Sequence, residues 1–244
     1  MLEDLHIIMV KTRFPENVGM AARACANMGA AHIVLVDPEL WDKEKARPLA
    51  TAKGASILDG IHVTVSLPDA LREYALVVGT TARTGGWRRD VLTPHSAAQE
   101  IVAALREGGR VALLFGPEDR GLNNEEIEHC QRLVTIPTAP TASSLNVAQS
   151  VLLLLYECFT AARADTDKIR RLPPPESRRI TAGEQERLYA SLRETLLRID
   201  YLHGNNPDYF LMPLRRLLGR VGLRRHEYDA LMGICRQVRN KIPQ

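Results

Sequence analysis

Three stretches of this chain gather glycine, proline and small hydroxyl residues in the manner of ligand-binding loops. They read Gly79-Thr80-Thr81-Ala82-Arg83, Phe115-Gly116-Pro117-Glu118-Asp119-Arg120-Gly121-Leu122, and Ile136-Pro137-Thr138 running on to Ser143-Ser144-Leu145-Asn146. Such residues let backbone N–H and C=O groups approach a ligand closely. A fourth stretch, Pro15-Glu16-Asn17-Val18-Gly19-Met20-Ala21-Ala22-Arg23, offers Asn17 as a helix N-cap and a guanidinium about two turns further on. No G-x-G-x-x-G follows the first strand candidate and no G-K-[ST] occurs, so nicotinamide and ATP sites of the familiar kinds are disfavoured. A ligand held by main-chain groups without a phosphate cradle fits better, and an adenosine-containing sulfonium is one candidate.

Beside the first loop, Arg83-Thr84-Gly85-Gly86-Trp87-Arg88-Arg89 combines arginines with an aromatic ring. Trp87 is suited to stack on an unpaired base while Arg83, Arg88 and Arg89 hold phosphates. The competing reading is a surface loop with Trp87 tucked against its own neighbours. The seven histidines are scattered, and Cys25, Cys130, Cys158 and Cys235 lie far apart. No metal site or disulfide framework is expected from them, and each cysteine reads as a small buried apolar residue.

The elements that must position these loops alternate. Strand candidates are His6–Val10, His32–Val36, His62–Val65, Leu76–Gly79, Val111–Phe115 and Leu133–Ile136, dense in Val, Ile and Leu without clean alternation. Helix candidates are Val18–Met28, Leu67–Tyr74, Ser96–Arg106, Asn124–Gln131 and Leu145–Ala161, with Asn123 or Asn124 as a cap. The alternation predicts an α/β fold with a parallel sheet, whose ligands bind beyond the carboxyl ends of the strands. Residues 163–181, with Arg170-Arg171-Leu172-Pro173-Pro174-Pro175, read as a stiff, basic, exposed linker. Beyond it three apolar stripes recur at helical spacing: Leu188, Leu192, Leu196, Ile199 and Leu202; Leu214, Leu217, Leu218 and Val221; Tyr228, Leu231, Ile234 and Val238. They predict a small helical unit with Arg215-Arg216 and Arg224-Arg225 on its exposed side.

Hydrophobic residues make up 45% and charged residues 25%, the balance of a chain with a sizeable core. No apolar run reaches the roughly 18 residues of a membrane span, and the first residues lack the features of a signal peptide. A cytoplasmic protein is expected. Residues 1–162 carry 15 Lys and Arg against 19 Asp and Glu, whereas residues 163–244 carry 17 against 10. A basic tail behind a mildly acidic front points to a polyanionic partner; an Arg-rich solvated surface is the alternative.

Taken together, Asn17-x-Gly19-x-x-x-Arg23, Phe115-Gly-x-Glu118-x-x-Gly121-Leu122 and Ile136-Pro137…Ser144-Leu145-Asn146-x-Ala148 resemble the three motifs of the SpoU/TrmH branch of the SPOUT methyltransferases. The resemblance spans about residues 1–162. The tail, with Leu214-Arg215-Arg216-Leu217 and Leu231-Met232-Gly233-Ile234, is similar to that of the TrmJ-type subfamily.

This resemblance implies a SPOUT domain over 1–162 with a trefoil knot at the C-terminal end of the sheet, a linker over 163–181, and a helical RNA-binding unit over 182–244. It implies a homodimer that binds S-adenosylmethionine (AdoMet) and needs no metal. By carry-over, the cofactor contacts are Thr80, Thr81, Ala82, Gly116, Ile136, Ser143, Ser144 and Leu145. Arg23 is the catalytic residue, Asn17 fixes its loop, and Glu118 and Asn146 shape the pocket. The implied reaction is methylation of the ribose 2′-hydroxyl of the pyrimidine that opens the anticodon loop of tRNA, with Arg215 and Arg216 among the tRNA contacts. An arginine is essentially never deprotonated, so Arg23 is expected to pair with the adjacent phosphate while phosphate or water takes the proton. The rival readings are a ribosomal RNA or different tRNA target, and a non-catalytic RNA-binding protein on the same fold.

Overall fold

A computed structural model describes residues 2–83, 85, 90–139, 141, 144–164, 177–202 and 206–242. Its front part runs β1 (Leu5–Val10), α1 (Pro15–Met28), β2 (His32–Val36), α2 (Lys43–Asp59), β3 (His62–Thr64), α3 (Leu67–Leu71), β4 (Leu76–Thr80), β5 (Val91–Leu92), α4 (Pro94–Arg106), β6 (Val111–Phe115), α5 (Asn124–Glu128), β7 (Arg132–Val134) and α6 (Val147–Ala164). The strands form one sheet in the order β3-β2-β1-β6-β4-β7-β5. Every neighbouring pair is parallel.

Apolar density without alternation is explained by burial on both faces. Every residue of β6 is buried, yet its side chains still divide by parity. Val111, Leu113 and Phe115 join Ile7 and Met9 in a core with residues of α1, α2, α4 and α6. Ala112 and Leu114 join Ile8 and Val10 on the opposite face, with Leu71, Tyr74 and Leu122. Period-two direction along each strand therefore feeds two apolar layers at once.

Two elements lay outside the sequence expectation. Helix α2 carries an internal Pro48, and Thr51 breaks it with φ 58°, so its pattern reads poorly as a helix. Tertiary packing supplies the reason it forms: a Cβ on Gly19 would lie 2.1 Å from the Ala46 carbonyl oxygen, and one on Gly54 3.1 Å from the Ala22 carbonyl carbon. The two backbones approach closely because both helices carry glycine at the crossing. Strand β5 is two residues long and gains its identity from pairing with β7. Helix α1 also starts earlier than its pattern indicates, at Pro15 with Phe14 as N-cap. Asn17 is therefore not the cap; it lies in the first turn and is buried.

Helices α7 (Ala182–Arg198), α8 (Pro207–Val221) and α9 (Arg225–Lys241) form the C-terminal unit. Thr181 and Glu184 close a capping box at the start of α7. Ile180, Leu188, Leu223 and Tyr228 make its core, with Leu192, Leu218, Leu231 and Met232 against them. The expected stripes are only partly internal, since Ile199, Leu217, Val221 and Ile234 are exposed. At the ends of the expected linker, α6 runs to Ala164 and Ile180 is buried; residues 165–176 lie outside the described set.

The unit docks on the α/β part through polar contacts. Ala182 N donates to Tyr74 O at 2.7 Å and Gly183 N to Arg72 O at 3.1 Å. The Glu107 carboxylate accepts from Arg179 at 2.8 Å and from Arg224 at 3.1 Å. Arg132 donates to the carbonyls of Gly219 and Arg220. Arg224 thus faces the α/β part and is not a free surface charge.

Candidate active site

The carboxyl ends of β1 and β6 lie side by side, with Met9 in register with Phe115. The segments leaving them meet at Glu118. Its Oε1 accepts from the Thr12 hydroxyl at 3.1 Å and from Asn17 Nδ2 at 2.9 Å, and its Oε2 accepts from Arg13 N at 3.2 Å. Asn17 Oδ1 in turn accepts from Asn146 Nδ2 at 2.8 Å. Asn146 Oδ1 accepts from Ala148 N at 2.8 Å and Gln149 N at 3.4 Å, capping α6.

The chain of bonds has one direction. Helix N–H groups fix which end of Asn146 is the oxygen, so its amide nitrogen faces Asn17. The Asn17 nitrogen must then face a pure acceptor, and Glu118 supplies it. Thr12 and Asn17 are only 2% and 5% exposed, so their donors depend on this carboxylate for satisfaction. Three of the four residues expected to do catalysis are therefore assembled into one network from distant parts of the chain.

Arg23 stands apart from it. Asn17 and Arg23 are six residues apart, which places them about 120° from each other around a helix. Arg23 lies on the exposed stripe of α1 with Glu16, Met20 and Asn27. Its guanidinium has no hydrogen-bond or ion-pair partner among the described residues, which leaves a cation available to a phosphate.

Sequence reasoning missed Thr12 and Arg13. Arg13 spans the rim, with Nε donating to Glu39 at 2.7 Å and Nη1 to Asp119 at 2.7 Å. The available signal was a polar Lys-Thr-Arg stretch directly after a buried strand, which reads as ordinary loop until Glu118 is placed beside it.

The expected cofactor loops also converge. They follow β6, β4 and β7, which are consecutive in the sheet. Adjacent strands lie about 4.8 Å apart, so three strand ends offer a ledge roughly 10 Å wide, the size of a nucleoside. Thr80 Oγ1 donates to Leu114 O at 3.1 Å and Thr81 N to Val134 O at 2.9 Å, tying the β4 end to both neighbours. Gly116 has no room for a side chain, because a Cβ there would lie 2.3 Å from Leu122 N. The N–H groups of half-buried Gly116 and Ile136 meet no main-chain acceptor among the described residues. These N–H groups are available to acceptor atoms of a ligand. Ser144 and Leu145 lead into the Asn146 cap, and Ser143 lies outside the described residues.

Of the expected RNA contacts, Trp87, Arg88 and Arg89 lie outside the described residues, and Arg216 is exposed. Arg215 is engaged internally: it forms a two-pronged pair with Glu186 and sits 4.3 Å over the Tyr189 ring. Arg83 donates to main-chain carbonyls of the Glu118 loop.

Burial pushes the thiols of Cys25 and Cys158 up to about 12 and raises that of Cys130, which keeps them protonated and unreactive. At the opposite end of the sheet, burial, then His32 and Arg110, bring the His6 imidazole down to about 4. His6 Nδ1 lies 2.6 Å from the Tyr74 hydroxyl. Among the described residues no cluster of three His, Cys, Asp or Glu side chains is arranged to hold a metal.

A parallel sheet whose central strand ends carry this network and ledge is matched by a known class. Residues 4–156 fit the SpoU rRNA Methylase family, and the chain belongs to the SpoU methylases. Residues 183–244 fit the tRNA methyltransferase TrmJ C-terminal domain, and the full-length relatives are TrmJ proteins. The chain is 39% identical over 241 residues to tRNA (cytidine/uridine/adenosine-2'-O-)-methyltransferase TrmJ of Pseudomonas aeruginosa (strain UCBPP-PA14), covering 96% of this chain and 93% of that one. It is 34% identical over 239 residues to tRNA (cytidine/uridine-2'-O-)-methyltransferase TrmJ of Escherichia coli (strain K12), covering 98% and 96%. The crystal structure of TrmJ from Z. mobilis ZM4 superposes with a TM-score of 0.78 at 30% identity, covering 96% of this chain and 98% of that chain.

Proposed function

We propose that this protein is an AdoMet-dependent tRNA 2′-O-methyltransferase acting on the pyrimidine at position 32, where the anticodon loop opens. The observation that carries the reading is the Asn146–Asn17–Glu118 hydrogen-bond chain beside the three-strand ledge. Full-length relatives named for tRNA ribose methylation support it.

Bound AdoMet supplies a methyl group made electrophilic by its sulfonium. Thr80, Thr81, Ala82, Gly116, Ile136, Ser143, Ser144 and Leu145 would hold and orient it, most of them through their backbones. Glu118, Asn17 and Asn146 fix the wall facing the incoming ribose, and alignment of the two reactants is the larger part of the catalytic task. Arg23 pairs with the phosphate next to the target ribose and lowers the pKa of O2′, whose proton leaves to phosphate or water. Arg216, Trp87, Arg88 and Arg89 contribute to the tRNA surface. Residues 1–162 are the knotted catalytic domain, 163–181 the linker and 182–244 the RNA-binding domain.

The working unit is a homodimer. Leu152, Leu153 and Tyr156 form a stripe along α6 that is 41%, 42% and 53% exposed, and Met20 on α1, which packs against α6, is exposed as well. An apolar stripe of this kind on a helix otherwise packed into the core calls for a partner face. No described helix is long and apolar enough to cross a membrane, and relatives named for tRNA modification support a cytoplasmic location.

The test is incubation with labelled AdoMet and unmodified tRNA transcripts, followed by nucleoside analysis. Label in 2′-O-methylcytidine or 2′-O-methyluridine at position 32 is expected. Label confined to ribosomal RNA, or tRNA binding without transfer, overturns the assignment in favour of the corresponding rival.

A further inference from the structure

We infer that Arg83 is a positioning residue that couples the cofactor ledge to the loop carrying Glu118, and that it is not an RNA contact. The inference rests on the methyltransferase reading above and adds a residue to its machinery. Arg83 leaves β4 through a turn closed by Thr81, whose Oγ1 donates to Arg83 O at 2.9 Å and accepts from Arg83 N at 3.1 Å. That turn fixes the direction in which the side chain departs. Its Nη2 then donates to Arg120 O at 3.0 Å and to Leu122 O at 3.4 Å.

Those two carbonyls flank Gly121, whose φ of 65° reverses the chain after Glu118. Gly121 N donates to Pro117 O at 2.8 Å, and Gly116 packs directly on Gly121 and Leu122. Residues 116–122 thus form a closed ring gripped from two sides. Thr12, Arg13 and Asn17 hold it at Glu118, and Arg83 holds it at the opposite carbonyls. Thr80, Thr81 and Ala82 are the residues that lead into Arg83, so a ligand ordering that turn also orders the ring. With Nη2 committed to two carbonyls of its own chain, the guanidinium is fixed on this loop.

Arg120 is exposed, so its carbonyl takes up water when the arginine is lost, and the 3.4 Å bond to buried Leu122 is the weaker of the two; the global unfolding midpoint of Arg83→Ala should therefore stay close to wild type. The effect belongs in geometry. A displacement of about 1 Å at a reacting centre lowers rate by about 10²-fold, and we expect a kcat loss of that order together with AdoMet binding weakened by about 10-fold. The tRNA Kd measured without cofactor should stay within about twofold. Guanidinium at low millimolar concentration should restore part of the kcat of Arg83→Ala, and Arg83→Lys, with one ammonium for two carbonyls, should fall between.

Amide hydrogen exchange over residues 116–122 provides a readout independent of turnover, and faster exchange at Gly121 in apo Arg83→Ala is expected. Unchanged exchange overturns the inference, and so does weaker tRNA binding with AdoMet affinity intact. Wild-type protein that neither binds AdoMet nor methylates tRNA would instead overturn the proposed function, while the exchange comparison still decides whether Arg83 holds the ring.

Discussion

Removing the Glu118 carboxylate tests the central network most directly. Glu118→Ala takes the acceptor from the Thr12 hydroxyl, the Asn17 amide and Arg13 N. Thr12 and Asn17 are buried, and a buried donor left unpaired costs about 1–3 kcal/mol. Glu118 itself is half-buried, so water enters the space it leaves and the lower part of that range applies. Two donors then give about 2–3 kcal/mol, or roughly 5–10 °C in Tm for a chain of this size. Glu118→Gln keeps one oxygen for Thr12 and Asn17 but turns an amide nitrogen toward Arg13 N, donor against donor, for about 1 kcal/mol. Thermal and urea unfolding of the three proteins, with methyl transfer at saturating AdoMet and tRNA, measure both consequences. The double variant with Asn17→Ala should show a coupling energy of about 1 kcal/mol, as expected for residues in one network. Glu118→Ala within about 0.5 kcal/mol of wild type and with unchanged kcat would refute the reasoning, because neither buried donor could then depend on this carboxylate.

Three further perturbations follow from the same geometry. Asn17→Asp places a second carboxylate where Asn17 Nδ2 now lies 2.9 Å from Glu118; the pair retains a proton and its folded pKa rises. Stability of that variant should fall as pH rises from about 5 to 8, and equal urea midpoints at both ends would contradict the orientation assigned to Asn17. Gly19→Ala drives a Cβ to 2.1 Å from the Ala46 carbonyl oxygen, so α1 and α2 must part, at a cost of about 3 kcal/mol; a stable variant with normal activity would show that the crossing is looser than described. His6 has its folded pKa lowered to about 4 from 6.5. Its contribution is complete above pH 6.5 and is lost as pH falls through about 4, so His6→Gln should flatten the stability profile across that window, and an unaltered slope counts against it.

Residue order alone determined a good deal. Val-, Ile- and Leu-dense runs marked six of the seven described strands, and most clearly the central ones, because a strand buried on both faces has no polar side to show. Asn123 or Asn124 marked the start of α5, and the structure selects Asn123, whose capping box with Glu126 is complete within one turn. The loops rich in glycine and hydroxyl residues were legible for the same reason: the property that makes them useful, close backbone approach, belongs to the residue types themselves. The tail was legible as helices, because 3.6-residue periodicity survives without knowledge of what each helix meets.

Only the tertiary structure decided which partners those residues have. Asn17 and Glu118 are 101 positions apart, and Asn17 and Asn146 129 apart, so no local pattern could show that one amide bridges the other two. Asn17 read as a cap because its neighbourhood supports that role equally well, and burial beside Glu118 settled it otherwise. Helix α2 is held by its glycine-lined crossing with α1 against the local signals of Pro48 and Thr51. Arg83 and Arg215 looked free in a list of basic residues, yet carbonyls and a glutamate claim them. Composition fixes what a side chain is able to bond; the packed sheet and its loops fix which group arrives within 3 Å of it.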